Sequence, residues 1–170
     1  MKNAIKLFVL VTFTLVAMNV SAQQKLGHIE TQKLIQAMPE MAAAQKTMQD
    51  KQSEVEKELT NMQEQFKTKL NEYSQNAKTY SDVIRTSKEQ ELQELQQRIQ
   101  RFQEIAMENL EQTQKELMQP IMDKALNAIK AVAKENAYTY IFDMSSGVVL
   151  YVAENSEDIL PLVKKKLGLQ

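Results

Sequence analysis

Cysteine and tryptophan are absent from this 170-residue chain, histidine occurs once, and glycine and proline occur three times each. Without cysteine there is no thiol nucleophile, no thiolate zinc or iron–sulfur site and no disulfide, and a lone His28 cannot supply a multi-histidine metal cluster. Gly27, Gly147 and Gly168 lie too far apart for a phosphate-binding loop or a dinucleotide fingerprint, both of which need clustered glycines. No pair of carboxylates is singled out by spacing for acid–base work. Composition therefore speaks against an enzyme, and no cofactor is expected. Charge is nearly balanced, with 21 basic residues against 22 acidic ones, which gives no overall field for nucleic acid.

Residues 1–22 have the pattern of a secretory signal. Lys2 and Lys6 charge its start, Leu7 to Val16 form an apolar run, and Val20, Ser21 and Ala22 offer small residues before a cleavage point. The alternative, a membrane anchor, needs an unbroken apolar stretch of about 20 residues, and Asn19 and Ser21 close this one sooner. The expectation is an exported, soluble chain from about Gln23 onward. Losing the leader removes two lysines and no acid, so that chain is mildly acidic.

From Glu40 to about Ala133 there is no glycine and a single proline, Pro120, and strong helix formers dominate. Val55, Leu59, Met62, Phe66, Leu70, Tyr73, Ala77, Tyr80 and Ile84 recur at steps of three and four, which draws one narrow apolar seam along a helix. Leu92, Leu95, Ile99, Phe102, Ala106, Leu110 and Leu117 continue the same stripe, ending through Ile121, Ala125, Ala128 and Val132. A helix this polar does not stand alone in water, so the economical partner is its neighbour folded back antiparallel. A single continuous rod is the other arrangement the pattern allows. The turn is expected between Thr79 and Ser87, where Ser81, Asp82, Thr86 and Ser87 compete for backbone hydrogen bonds. Each arm, at ~40 residues, would reach ~60 Å.

The flanks read differently. Lys25 to Glu30 is a strand candidate, Thr31 a cap for a brief helix carrying Leu34, Ile35 and Met38, and Pro39 the opening of the first arm. Tyr138 to Asp143 is rich in strand formers, Ser145, Ser146 and Gly147 make a turn, and Val148 to Val152 returns as a second strand. Asp158 is the expected cap of a last helix in which Pro161 falls in the first turn and Lys164, Lys165 and Lys166 favour the negative end of the dipole. The predicted organisation is a signal over 1–22, a body built from 23–39 and 135–170, and a helical hairpin arm over 40–134. A body of about fifty residues buries little core alone, so it is expected to associate through its strands. Ile29, Tyr138, Tyr140, Phe142, Val148, Leu150 and Val152 are assigned to it.

The order strand, short helix, long helical hairpin, two strands, terminal helix resembles the Skp/OmpH family of periplasmic chaperones. Lys25-Leu-Gly-His-Ile-Glu-Thr-Gln-Lys-Leu-Ile is similar to the family's opening strand and helix. Tyr140-Ile-Phe-Asp with Val149-Leu-Tyr resembles its β-hairpin, and Glu157-Asp-Ile-Leu-Pro-Leu-Val-Lys-Lys-Lys-Leu its closing helix. The fold class expected is α+β, mostly α. The resemblance implies a homotrimer whose strands form a small central β-barrel and whose hairpins project like tentacles around a cavity. It also implies an ATP-independent holdase in the periplasm that keeps unfolded outer-membrane proteins from aggregating.

The better-known members of that family are strongly basic, and their arms are credited with contact to acidic clients, lipid head groups or lipopolysaccharide, whereas this chain is mildly acidic. Between Lys67 and Lys88, five basic residues (Lys67, Lys69, Lys78, Arg85 and Lys88) nevertheless face two acidic ones, Glu72 and Asp82. That makes the distal arm locally positive, as a weak membrane or lipopolysaccharide contact or as an ordinary solvated helix face. A holdase suits adaptable apolar contacts better than a shaped pocket, and methionine adapts to irregular partners. Ile105, Met107, Met118 and Met122 fall beside the seam, as client contacts or as a widening of the interhelical packing. Pro120 removes a backbone donor for the Glu116 carbonyl, as a hinge or as a fixed kink. His28 is read as part of packing or of an oligomer rim rather than as a site residue. A structural or adaptor protein of the cell envelope, docking its coiled coil onto a membrane partner, is the competing function.

Overall fold

The sheet joins pieces from opposite ends of the chain. In the computed structural model, which describes residues 24–169, β1 (Leu26–Ile29) is the middle strand, with β2 (Tyr140–Asp143) on one side and β3 (Glu157–Asp158) on the other. Both neighbours run parallel to β1, with Leu26 opposite Tyr140, Ile29 opposite Asp143, and His28 opposite Asp158. Parallel neighbours require a crossover of a dozen residues or more. Here the crossover from β1 to β2 is α1 (Thr31–Ala37), α2 (Pro39–Asn76) and α3 (Asp82–Glu135), so the entire hairpin is a loop inserted between two adjacent strands. A short α4 (Leu160–Lys166) closes the chain. The proposed signal over 1–22 lies outside the described residues.

The architecture is α+β and mostly helical, as expected. Two local readings are corrected. Val148 to Val152 is not a strand and forms no hairpin with β2. After β2 the chain enters a 3-10 turn (Met144–Ser146), and Asp143 accepts the Ser145 amide at 2.9 Å, with Gly147 in the left-handed region at φ 68°. That turn carries the chain away from β2, and the free side of β1 goes to β3 instead. The segment that follows therefore has no strand beside it among the described residues, and Leu150 is 94% exposed. The second correction concerns the turn between the arms. It occupies residues 77–81, where Ser81 caps α3 by accepting the Ile84 amide at 3.4 Å. With Ser81 capping and Asp82 favouring the positive end of the helix dipole, the helix starts early enough to absorb Thr86 and Ser87.

Pro39 does open α2. Thr31 does not cap α1: its own amide donates to Asp143 Oδ1 at 3.2 Å, and the Gln32 amide donates to Ser145 Oγ at 2.9 Å. The helix that follows β1 is thus capped by side chains at the end of β2 and just beyond it. Ile159 occupies the N-cap position of α4, and Asp158, one residue earlier, still accepts the Leu160 amide at 2.9 Å. Ile29, Leu34, Met38, Ile159 and Val163 are fully buried, and Ala44, Ile121, Ala125, Ala128 and Val132 extend their cluster up the root of the arms. Gly27 permits this packing, since a Cβ there would lie 3.0 Å from both Ile159 Cγ2 and Tyr138 Cε1.

Burial works to raise the Asp143 carboxyl, but the amides of Ser145 and Thr31 outweigh it and hold it below the ordinary 3.8. A depressed carboxylate contributes stability above its unfolded pKa and loses it as pH falls through the folded one. Asp143→Ala is expected to lower unfolding free energy at pH 7 by about 1 kcal/mol, the usual size of a lost cap. The gap between variant and parent should narrow below pH 3.8, in urea titrations at matched protein concentration.

Candidate functional site

The arms zip along the expected seam. Met62, Leu95 and Ala106 are buried, and Val55, Leu59, Phe66, Ile99 and Phe102 are half-buried. Toward the tip the apolar packing thins, and Leu70 and Ile84 are exposed. Polar contacts between the arms take over there. Lys69 pairs with Glu91, Lys88 pairs with Glu72 at 3.1 Å, and the Tyr73 hydroxyl donates to Glu89. Lys69 holds the Glu91 carboxyl below its usual range, and Glu72 raises the Lys88 ammonium. At the root, Lys124 pairs with Glu40 across the same two helices and lowers its carboxyl. Low residue numbers on α2 thus meet high ones on α3, which is an antiparallel hairpin and excludes the single rod.

These pairs bear on the basic residues of the distal arm. Lys69 and Lys88 are engaged across the seam and Arg85 pairs with Asp82, one turn of the same helix away. Glu91, just beyond the stretch in which the positive balance was counted, supplies part of the compensation by pairing with both Lys69 and Lys88. Lys67 and Lys78 project from the surface.

The four apolar residues read beside the seam are not one cluster. Ile105 borders a groove with Val55, Phe102 and Leu110, and Met107, 73% exposed, points into solvent nearby. Met118 packs half-buried against the body core. Met122, 50% exposed, lies in a second groove at the arm root with Leu126, Ile35 and Ile141. Leu126 was missed from sequence because it follows Ala125 in the seam register and so looked like a polar-face position. Pro120 lies within α3, which remains helical on both sides of it, and faces Ala43, Ala44 and Thr47 of α2 across a shallow groove.

In the body, Tyr140 and Phe142 stack on one face of β2 with ring centroids 6.4 Å apart, and both are exposed. Val148, Leu150 and Tyr151 add to the apolar surface, whereas Ile29 is buried in the core. Tyr138 turns inward under Lys25, whose ammonium lies 4.1 Å from the ring centroid. Burial, helped by the neighbouring Glu157 carboxylate, pushes the Tyr138 hydroxyl up to about 12. His28 Nδ1 lies 3.1 Å from Ser156 Oγ. Among the described residues no group of three or more His, Asp or Glu side chains is placed to hold a metal, and no helix is long and apolar enough to cross a membrane.

A hairpin of two long helices rising from a small parallel sheet is the arrangement to compare with known proteins. The model of the OmpH-like outer membrane protein family matches residues 25–167. The chain belongs to the OmpH-like family. Chaperone protein Skp of Vibrio cholerae serotype O1 is 26% identical over 154 residues, covering 86% of this chain and 89% of that protein. Among solved structures, an OmpH-like outer membrane chaperone from Caulobacter crescentus CB15 superposes with a TM-score of 0.75 at 14% identity, over 86% of this chain and 85% of the other. That likeness is one of fold. Skp is a chaperone by name.

The OmpH-like hairpin makes a direct chemical prediction. Carbodiimide joins amines to carboxylates that already touch, so it should link Lys69 to Glu91 and Lys88 to Glu72. In a mixture of heavy-nitrogen and unlabelled chains, mass spectrometry should find both halves of each linked peptide carrying the same label. Mixed-label links at these positions would mean that the seam forms between chains.

Proposed function

We propose that this OmpH-like protein is an ATP-independent holdase that acts after export to the periplasm and keeps unfolded outer-membrane proteins from aggregating. The observation that carries the reading is the distribution of apolar surface. The seam is packed along the shaft and the body core is buried, yet Ile105, Met107, Met122 and Leu126 remain exposed on helices that rise from the body. Scattered, flexible apolar contacts on a charged rod suit many unrelated partners held weakly. The kinship to Skp, a chaperone by name, and the absence of any phosphate-binding glycine cluster in the sequence support it. The adaptor alternative needs a continuous apolar docking face along the arms, and Ile105 and Met107 are separated from Met122 by a mostly polar stretch in which Leu110, Leu117, Met118 and Ile121 are buried or half-buried.

In this reading the functional unit is a homotrimer. Its barrel forms from the sheets of three copies, with Tyr140, Phe142, Val148, Leu150 and Val152 supplying the contacts. Exposed apolar side chains on an edge strand and an extended segment are surfaces that a solitary small body does not tolerate well. Three hairpins would then enclose the cavity, with Pro120 as the hinge at which each arm spreads. Lys67 and Lys78 supply any weak contact with a membrane or lipopolysaccharide.

The mature protein should keep a urea-diluted outer-membrane protein in solution without nucleotide, as read by light scattering. Ile105→Ser combined with Met107→Ser should weaken that protection severalfold and leave helicity unchanged, because neither side chain is buried. Aggregation of the client at stoichiometric folded trimer would overturn the reading in favour of an adaptor. Sedimentation gives a separate check of assembly. The parent should run as a trimer, and Leu150→Asp with Val148→Asp should release monomers.

A further inference from the structure

Where α3 meets the sheet, a groove of about 430 Å³ has its apolar walls from Ile35 of α1, Met122 and Leu126 of α3, and Ile141 of β2. Its polar lining includes Asp123 and Asp143, and no lysine or arginine lines it. Asp143 is fixed by the amides of Thr31 and Ser145, and Asp123 accepts Gln119 Nε2 at 3.0 Å. Met122 and Leu126, one helical turn apart, are 50% and 48% exposed and so leave half of each side chain for another surface to cover. An apolar trough with two carboxylates and no cation is complementary to an apolar segment that bears positive charge beside it.

We propose that this groove holds an apolar stretch of an unfolded polypeptide with a lysine or arginine at its flank. The inference rests on the holdase reading and adds to it a preference among clients. The occupant is not the exposed segment of a second copy. Between Met144 and Glu157 that segment carries no lysine or arginine but has Glu154 and Glu157, which would bring like charge to Asp123 and Asp143.

The test uses the mature full-length protein in its native assembly. Fluorescence anisotropy measures binding of a short labelled peptide of alternating leucine and threonine that ends in a pair of arginines. The same peptide ending in a pair of glutamates is the control. At low salt the arginine peptide should bind about fivefold tighter, the scale of a pair of exposed charge contacts. Asp123→Asn should reduce that preference, and Met122→Ser with Leu126→Ser should weaken both peptides; these side chains are exposed, so the fold should persist and is checked by circular dichroism. Equal affinity for the two peptides, or a preference that survives both variants, overturns the proposal. If equal affinity is found while the protein still protects unfolded outer-membrane proteins, the groove assignment fails alone. If neither peptide binds and no client is protected, the holdase reading fails with it. Dissociation of the assembly by Met122→Ser with Leu126→Ser would place the groove between copies and likewise overturn the proposal.

Discussion

β1 has parallel partners on both sides, and neither comes from nearby in the chain. β2 begins more than a hundred residues later and β3 later still, so closing this sheet commits the chain to a very long loop. The entropy of closing a flexible loop grows only slowly with length, but a loop of this size has to be structured to be useful. The sequence satisfies that need by folding the loop onto itself as a hairpin. The two helices satisfy each other's apolar stripes along the shaft, and the four buried contributors from the root of α3, Ile121, Ala125, Ala128 and Val132, continue directly into the body core. Arm and body therefore share one packed column at the root. The direction in which the arm leaves the body is fixed by side chains that both parts need.

The second tie between the chain ends is polar. Asp143, the last residue of β2, and Ser145, just beyond it, supply the hydrogen-bond acceptors for the first amides of α1, which follows β1. Strand pairing and helix capping thus depend on each other. A slip of β2 by one residue would withdraw the cap and would turn Ile141 to the opposite face. Such mutual dependence lets a small body specify one register without a disulfide, which the absence of cysteine forbids.

The arms were legible from sequence because their signal is periodic and long. Met62, Leu95 and Ala106 are buried where the three-and-four spacing put them, and the return of the chain near Ser81 followed from a short polar stretch with no glycine or proline. The body was legible in its elements but not in its topology. Tyr140 to Asp143 had the composition of a strand, yet nothing local says whether it pairs with the next segment or with one far upstream. Val148 to Val152 has equally good strand composition and is not a strand, because β-propensity reports a fit to a half-covered surface and among the described residues no strand lies beside this segment. Glu157 and Asp158, by contrast, form β3 despite poor propensity, since the Ile159 amide donates to the His28 carbonyl at 2.9 Å and draws the backbone beside β1. At the candidate site, exposure separated residues that spacing had grouped. Met118 faces the core and Met107 the solvent, a difference of orientation that sequence distance from the seam does not resolve.

On the proposed reading the protein spends no nucleotide and has to release what it holds by thermal dissociation alone, which limits how strong any single contact can be. A fully buried large apolar side chain is stabilised by roughly 1.5–3 kcal/mol, so side chains such as Met122 and Leu126, already half covered, leave on the order of 1 kcal/mol each for a guest on the proposed reading. A few such contacts on one arm give an affinity too weak to trap a chain. Repeating them on several arms around one guest raises the local concentration of binding surface without deepening any one site. On the proposed reading, partial exposure on a rigid hairpin is thus the property under selection. Full exposure would invite self-association, and full burial would leave nothing to bind with. The cross-arm ion pairs serve the same end. They hold the thinly packed distal shaft together with polar contacts, so the tip keeps its shape where a wider apolar seam would have made it adhesive.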